Sequence, residues 1–101
     1  MFMERCTQKV IGSYDEAVAL EKEFEAMETK MGNVPTKRRY YAMYSGLLNN
    51  TYVWERDWES LAALEAYNTK IQNDPVWAAV IAKGAKIFAD AHFEIFGVLV
   101  I

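Results

Sequence analysis

The sequence predicts an α+β fold in which helices cover one face of a four-stranded antiparallel sheet. Two observations lead there. Extended and helical segments follow one another as strand, helix, strand, strand, helix pair, strand, which is the split βαβ pattern. Between the first helix and the helix pair lies YYAMYSGLLNNTYVWERDW, Tyr40 to Trp58, a stretch that crowds four tyrosines and two tryptophans into one hairpin.

Each element has its own signals. Residues 2–11 read as a strand, with β-branched Thr7, Val10 and Ile11 closing it before Gly12. In GSYDEAVALEKEFEAMETKMG, Ser13 caps the first turn and Glu16, three residues on, reaches back to it. Gly32 supplies the left-handed residue that ends a helix. Ala17, Leu20, Phe24, Met27 and Met31 recur at steps of three and four and define the inner face. Glu21, Lys22, Glu23, Glu25 and Glu28 are expected on an acidic outer face.

The hairpin turn is expected at Asn49-Asn50, since Asn tolerates positive φ. That turn would pair Tyr41 with Trp58, Met43 with Arg56 and Ser45 with Trp54. One face then carries Tyr41, Met43, Leu47, Tyr52, Trp54, Arg56 and Trp58; the other carries Tyr40, Ala42, Tyr44, Gly46, Val53, Glu55 and Asp57. Ser60 caps the next helix, with Leu61, Leu64, Tyr67 and Ile71 on its inner side. Asp74 caps a third, with Pro75 at its first position and Trp77, Val80, Ile81, Ile87 and Phe88 on its apolar side. His92 precedes a last strand within AHFEIFGVLVI.

Composition bounds the function. The 101 residues, 52% hydrophobic and 14% aromatic, read as one domain over 1–101 with more apolar surface than so small an interior hides. The net charge of −3 and the lack of basic runs beyond Lys37-Arg38-Arg39, read as a solvated strand entrance, argue against nucleic acid. A single cysteine, Cys6, excludes an internal disulfide and multi-cysteine zinc frameworks; it is expected to be a small buried apolar residue. FEIFGVLVI is far shorter than the roughly twenty residues that span a bilayer. No secretion signal opens the chain, so a cytoplasmic protein is expected, without membrane contact. No metal or other cofactor is implied.

Helices shield one sheet face only, while both hairpin faces and the last strand carry apolar residues. Large exposed apolar patches are rare in monomers. A two-fold partner laying the same sheet face against this one would close two sheets into a barrel, so a homodimer through the face opposite the helices is expected.

TYVWERDWESLAALEAY, NDPVWAAV and HFEIFGVL together resemble the dimeric α+β barrel superfamily, ferredoxin-like in topology, and within it NIPSNAP-like proteins and the antibiotic-biosynthesis-type monooxygenases. The resemblance covers essentially the whole chain. It implies a homodimer with a ligand-sized cavity between sheet and helices; members include cofactor-independent monooxygenases and haem-degrading enzymes. Arg56 stands where monooxygenase-type members carry a carboxylate, and Tyr67 where they carry a histidine. The haem-degrading members use a tryptophan at that helix position and a histidine on the next helix, where WAAVIAK has none.

Arg56 is the most informative polar residue. A buried guanidinium must be paired, either with an anionic ligand group that its fork grips, or with Glu4, Glu94 or a helix carboxylate. His92 is a weak candidate for a general base, and a helix cap or solvent-facing side chain is its alternative. Glu55 and Asp57 suit salt bridges better than paired catalysis. Tyr41, Trp58, Tyr67 and Trp77 are candidates for an aromatic wall beside Arg56. These residues point to a homodimeric protein that binds an apolar or anionic small molecule. A cofactor-independent monooxygenase or isomerase acting on an aromatic or quinoid substrate is the alternative, and an assembly unit without a ligand is the third reading; whether the chain is an enzyme the sequence leaves open.

Overall fold

The computed structural model of the chain describes residues 1–43 and 50–101. It consists of β1 (Phe2–Val10), α1 (Tyr14–Met31), β2 (Arg38–Tyr41), β3 (Thr51–Trp58), α2 (Leu61–Gln72), α3 (Pro75–Gly84) and β4 (Phe88–Gly97). The sheet runs β2-β3-β1-β4 with every neighbouring pair antiparallel. This is the ferredoxin-like α+β architecture.

The helix ends follow from their capping residues. Ser13 Oγ accepts from Glu16 N and the Glu16 carboxylate accepts from Ser13 N, a complete capping box at the start of α1. Gly32 ends α1 at φ +74°. Ser60 Oγ accepts from Ala63 N, and Asp74 accepts from Val76 N ahead of Pro75.

The hairpin is six residues out of step with the expected register. Arg38 pairs with Glu55, Arg39 with Trp54, Tyr40 with Val53 and Tyr41 with Tyr52, in place of Tyr41 with Trp58. Asn50 has the positive φ, +65°, foreseen for the turn; Asn49, and the placements expected for Tyr44, Ser45, Gly46 and Leu47, lie outside the described residues. Because six is even, the face of every β3 side chain is unchanged. Tyr52, Trp54, Arg56 and Trp58 are buried on the helix side, as expected. What the shift moves is β2: it sets Arg39 beside Trp54, where it reaches Glu21 on α1, and carries Tyr41 away from Trp58 to a place opposite Tyr52.

The third helix is shorter than expected, and the last strand begins earlier and ends at Gly97, leaving residues 98–101, expected to close it, outside the sheet. Ile87 and Phe88 leave the helix: Ile87 N donates to Gly84 O in a closing turn, and Phe88 pairs with Val10. Pairing with β1 wins over helical continuation past a glycine. His92 therefore lies inside β4, opposite Thr7, not ahead of it. Between Lys9↔Ala89 and Thr7↔His92, Asp90 and Ala91 oppose Gln8 alone, a bulge with Asp90 at φ +56°.

Among the described residues, most of the buried apolar side chains between sheet and helices gather in two clusters. One gathers Cys6, Val10, Ala17, Tyr52 and Trp54; the other gathers Trp58, Leu64, Tyr67 and Trp77. Leu61, expected on the inner side of α2, is exposed. The open sheet face is not uniformly apolar. Arg5 pairs with Glu55 at 2.8 Å and Arg38 with Asp57 at 3.0 Å, beside Tyr40, Val53 and Phe96. Among the described residues no helix is long and apolar enough to cross a membrane.

Candidate ligand cavity between sheet and helices

The break between the two core clusters has a cause on β3. Strand alternation sends Tyr52, Trp54, Arg56 and Trp58 to one face, so a guanidinium interrupts a row of rings. Arg56 is 2% exposed, with its carbon centre 4.9 Å from the Trp54 ring, 5.1 Å from Trp58 and 4.7 Å from Tyr67. Its Nε donates to Glu4 Oε1 at 2.8 Å and its Nη1 to Glu28 Oε2 at 2.5 Å. Trp58 Nε1 donates to the same Glu4 oxygen at 3.0 Å, and the Tyr67 hydroxyl to Glu28 Oε2 at 2.6 Å. Burial opposes the Arg56 charge, but Glu28 and Glu4 more than reverse this and hold it above its ordinary range. Burial likewise raises the Tyr67 phenol, more than the Arg56 charge lowers it.

Two further cations join, Lys37 from the segment entering β2 and Arg39 from β2 itself. Arg39 Nε donates to Glu21 at 2.9 Å. Lys37 Nζ lies 3.8 Å from Glu21, 3.9 Å from Glu28 and 4.4 Å above the Trp54 ring. Its side chain is only 6% exposed, so the expected solvated strand entrance is wrong for Lys37. It holds only for Arg38, which is exposed on the open face. The acidic outer face expected for α1 is wrong for two of its members, since Glu21 and Glu28 are buried. The cluster is thus three carboxylates, Glu4, Glu21 and Glu28, interleaved with three cations, Lys37, Arg39 and Arg56.

Above this charged floor lies a cavity of about 490 Å³, within the range of small-molecule sites. Its walls are mainly apolar: Leu20 and Phe24 from α1, Trp54 from β3, Tyr67 from α2, Trp77 from α3 and Phe93 from β4. The Phe24 and Trp77 rings stack with centroids 5.7 Å apart, and Tyr67 meets Trp77 edge-on at 6.1 Å. Ile81, Asp90 and Phe93 line the cavity and are exposed, so its mouth opens between α3 and the bulge of β4.

The residues singled out from sequence divide. Arg56, Tyr67 and Trp77 line the cavity; Trp58 lies behind it, its ring 5.4 Å from Tyr67. Tyr41 is not part of the wall. It is 64% exposed, with its ring against Tyr14. His92 is exposed and shares a face with Thr7, whereas Phe93 at the cavity shares one with Cys6, so the sheet separates His92 from the cavity. Arg56 has the ion-paired arrangement, with Glu4 and Glu28 as partners. Cys6 is buried, and burial pushes its thiol up to about 12. Glu55 and Asp57 form their salt bridges on the open face.

Sequence reasoning missed Glu21, Glu28 and Lys37. The first two carried a signal: Glu21 follows Ala17 by four, Glu28 follows Phe24 by four, and the two are seven apart. That spacing places both on the helix face of the apolar residues. Lys37 stands outside any periodic element and gave none. No group of three metal-ligating side chains occurs among the described residues.

The ferredoxin-like fold around this cavity is shared with known structures. A NIPSNAP-like domain protein from Burkholderia xenovorans superposes with a TM-score of 0.78 at 14% identity, over 97% of this chain and 84% of that one. A NIPSNAP family protein of unknown function from Agrobacterium tumefaciens gives 0.75 at 17%, over 95% and 86%. SnoaB, a cofactor-independent oxygenase from Streptomyces nogalater, gives 0.69 at 12%, over 99% and 94%. The chain therefore has the fold of NIPSNAP and antibiotic-biosynthesis-monooxygenase-like proteins. No protein-family model matches its sequence, and no curated protein does either.

Proposed function

We propose that the protein binds a flat, apolar small molecule in the cavity between sheet and helices, as a homodimer joined through the open sheet face. The cavity itself carries this reading. A core cluster closed by packing alone would leave no space of 490 Å³ lined by stacked rings. The aromatic walls supply area, and the ion-paired floor fixes their positions. The dimer is supported by the composition of the open face: Tyr40, Val53 and Phe96 lie among charges of both signs, a self-complementary pattern for a two-fold contact.

The test is titration with 2-ethylnaphthalene followed by tryptophan fluorescence, since Trp54 and Trp77 line the cavity. Saturable quenching at one molecule per chain is expected, with loss of at least tenfold in affinity when Ala85→Trp fills the wall. Absence of saturation up to the solubility limit contradicts the reading. Mass spectrometry of small molecules that copurify with the protein identifies the natural ligand.

A second reading, a cofactor-independent oxygenase or isomerase for an aromatic or quinoid substrate, is favoured by the likeness to SnoaB. Catalysis here would rest on desolvation of a bound substrate, because Arg56 is already committed to Glu4 and Glu28, and His92 lies across the sheet. Oxygen uptake with a naphthalenic quinol separates the two readings: uptake faster with the wild-type protein than without it, and lost in Ala85→Trp, favours the oxygenase, and uptake no faster than without protein contradicts it.

A further inference from the structure

Lys37 is the one charged side chain of the six-membered cluster that no hydrogen bond holds among the described residues. Its carboxylate neighbours stand at 3.8 and 3.9 Å, beyond hydrogen-bond reach, and its other neighbours are the ring faces of Trp54 at 4.4 Å and Phe24 at 5.4 Å. An ammonium carries three donors, and among the described residues the fold supplies those of Lys37 with no hydrogen-bond acceptor. Lys37 lines the cavity, so an acceptor placed there would meet it. We propose that Lys37 is the polar anchor of the cavity, and that the ligand is a neutral, flat, apolar compound whose carbonyl oxygen accepts a hydrogen bond from Lys37 Nζ.

This rests on the small-molecule reading above and narrows it. The neutrality follows from the charge count: three buried carboxylates face three cations, so the floor is balanced before a ligand arrives. An anionic ligand would leave an uncompensated buried charge, and Asp90 at the mouth would repel its approach. A carbonyl adds an acceptor without adding charge. The apolar-or-anionic ligand expected from sequence thus becomes a neutral one. Burial depresses the Lys37 ammonium below its ordinary range, despite Glu21 and Glu28, as befits a donor poorly satisfied by its own fold.

The experiment compares 2-acetylnaphthalene, its carbonyl-free counterpart 2-ethylnaphthalene, and 2-naphthoate, on wild type, Lys37→Met and Lys37→Arg. The ratio of ketone to hydrocarbon affinity is expected to fall roughly tenfold in Lys37→Met, the scale of one charge-assisted hydrogen bond, and to persist in Lys37→Arg. Wild type is expected to bind the ketone more tightly than the carboxylate. An unchanged ratio in Lys37→Met, or 2-naphthoate binding as tightly as the ketone, overturns the inference while 2-ethylnaphthalene binding still upholds the cavity. Failure of 2-ethylnaphthalene to bind wild type overturns both. Should Lys37→Met not fold, the carbonyl stretch of the ketone bound to wild type decides: a lower frequency than in hexane supports the anchor, and an unshifted one overturns it.

Discussion

Arg56 Nη1 and Glu28 Oε2 meet at 2.5 Å, joining the middle of β3 to the C-terminal half of α1 inside the core. Glu28 also receives the Tyr67 hydroxyl and Glu4 also receives the Trp58 indole, so one charge network ties β1, β3, α1 and α2 together. Removing one partner strands the others in a medium that solvates them poorly. Arg56→Met is expected to destabilise the fold by about 3–5 kcal/mol in urea unfolding. A loss under about 1 kcal/mol would mean that water reaches the cluster.

Stability should fall as the pH rises above about 9, because the buried thiol and phenols hold their protons more tightly in the native chain. Burial raises the Cys6 thiol from 9.0 to about 12 and raises the Tyr52 and Tyr67 phenols as well. Below pH 9 native and unfolded chains both hold the thiol proton, and its contribution is complete. Between about pH 9 and 12 the unfolded chain releases a proton that the native chain keeps, so the contribution is lost progressively. The tyrosines act in the same direction from their own ordinary range upward. Lys37, depressed by burial, acts oppositely, its native form shedding a proton first. Urea unfolding at pH 8.5, 10 and 11 is expected to show a decline, with a shallower slope in Cys6→Ala; equal slopes would contradict the thiol's part.

Gly32→Ala isolates a backbone effect. Gly32 sits at φ +74° and ψ 155°, a region that side chains exclude, yet a Cβ there would meet nothing within 4 Å. The loss is expected to be about 1–3 kcal/mol, with helix content unchanged by circular dichroism.

Assembly through the open sheet face predicts a two-chain mass by sedimentation at micromolar concentration. Val53→Glu sets a further carboxylate beside Glu55 and Asp57 and should return the chain to single-subunit mass. A single-chain mass for the wild type contradicts the proposed dimer.

The parts that were legible in the sequence are those governed by local rules. Ser13 with Glu16, Ser60, Asp74 with Pro75 and Gly32 marked helix ends because capping involves residues only a few positions apart. The inner face of β3 was legible because period-two alternation survives an even shift in register. The register itself was not, since it depends on Arg39 reaching Glu21, eighteen positions earlier. For Glu21 and Glu28 charge and spacing point in opposite directions: their steps of four from Ala17 and Phe24 put them inside, and what makes burial tolerable, Arg56, Arg39 and Lys37, comes from strand and loop residues distant in sequence. The start of the last strand, and with it the place of His92, is not legible because Ile87 and Phe88 fit a helical stripe as well as a β-strand.

The cavity is the claim on which the functional account stands, and intermolecular nuclear Overhauser effects from bound 2-ethylnaphthalene test it most directly. Cross-peaks to ring protons of Phe24, Trp54 and Trp77 are predicted, because those rings line the space between sheet and helices. Cross-peaks confined to Tyr40 and Phe96 on the open sheet face would contradict it.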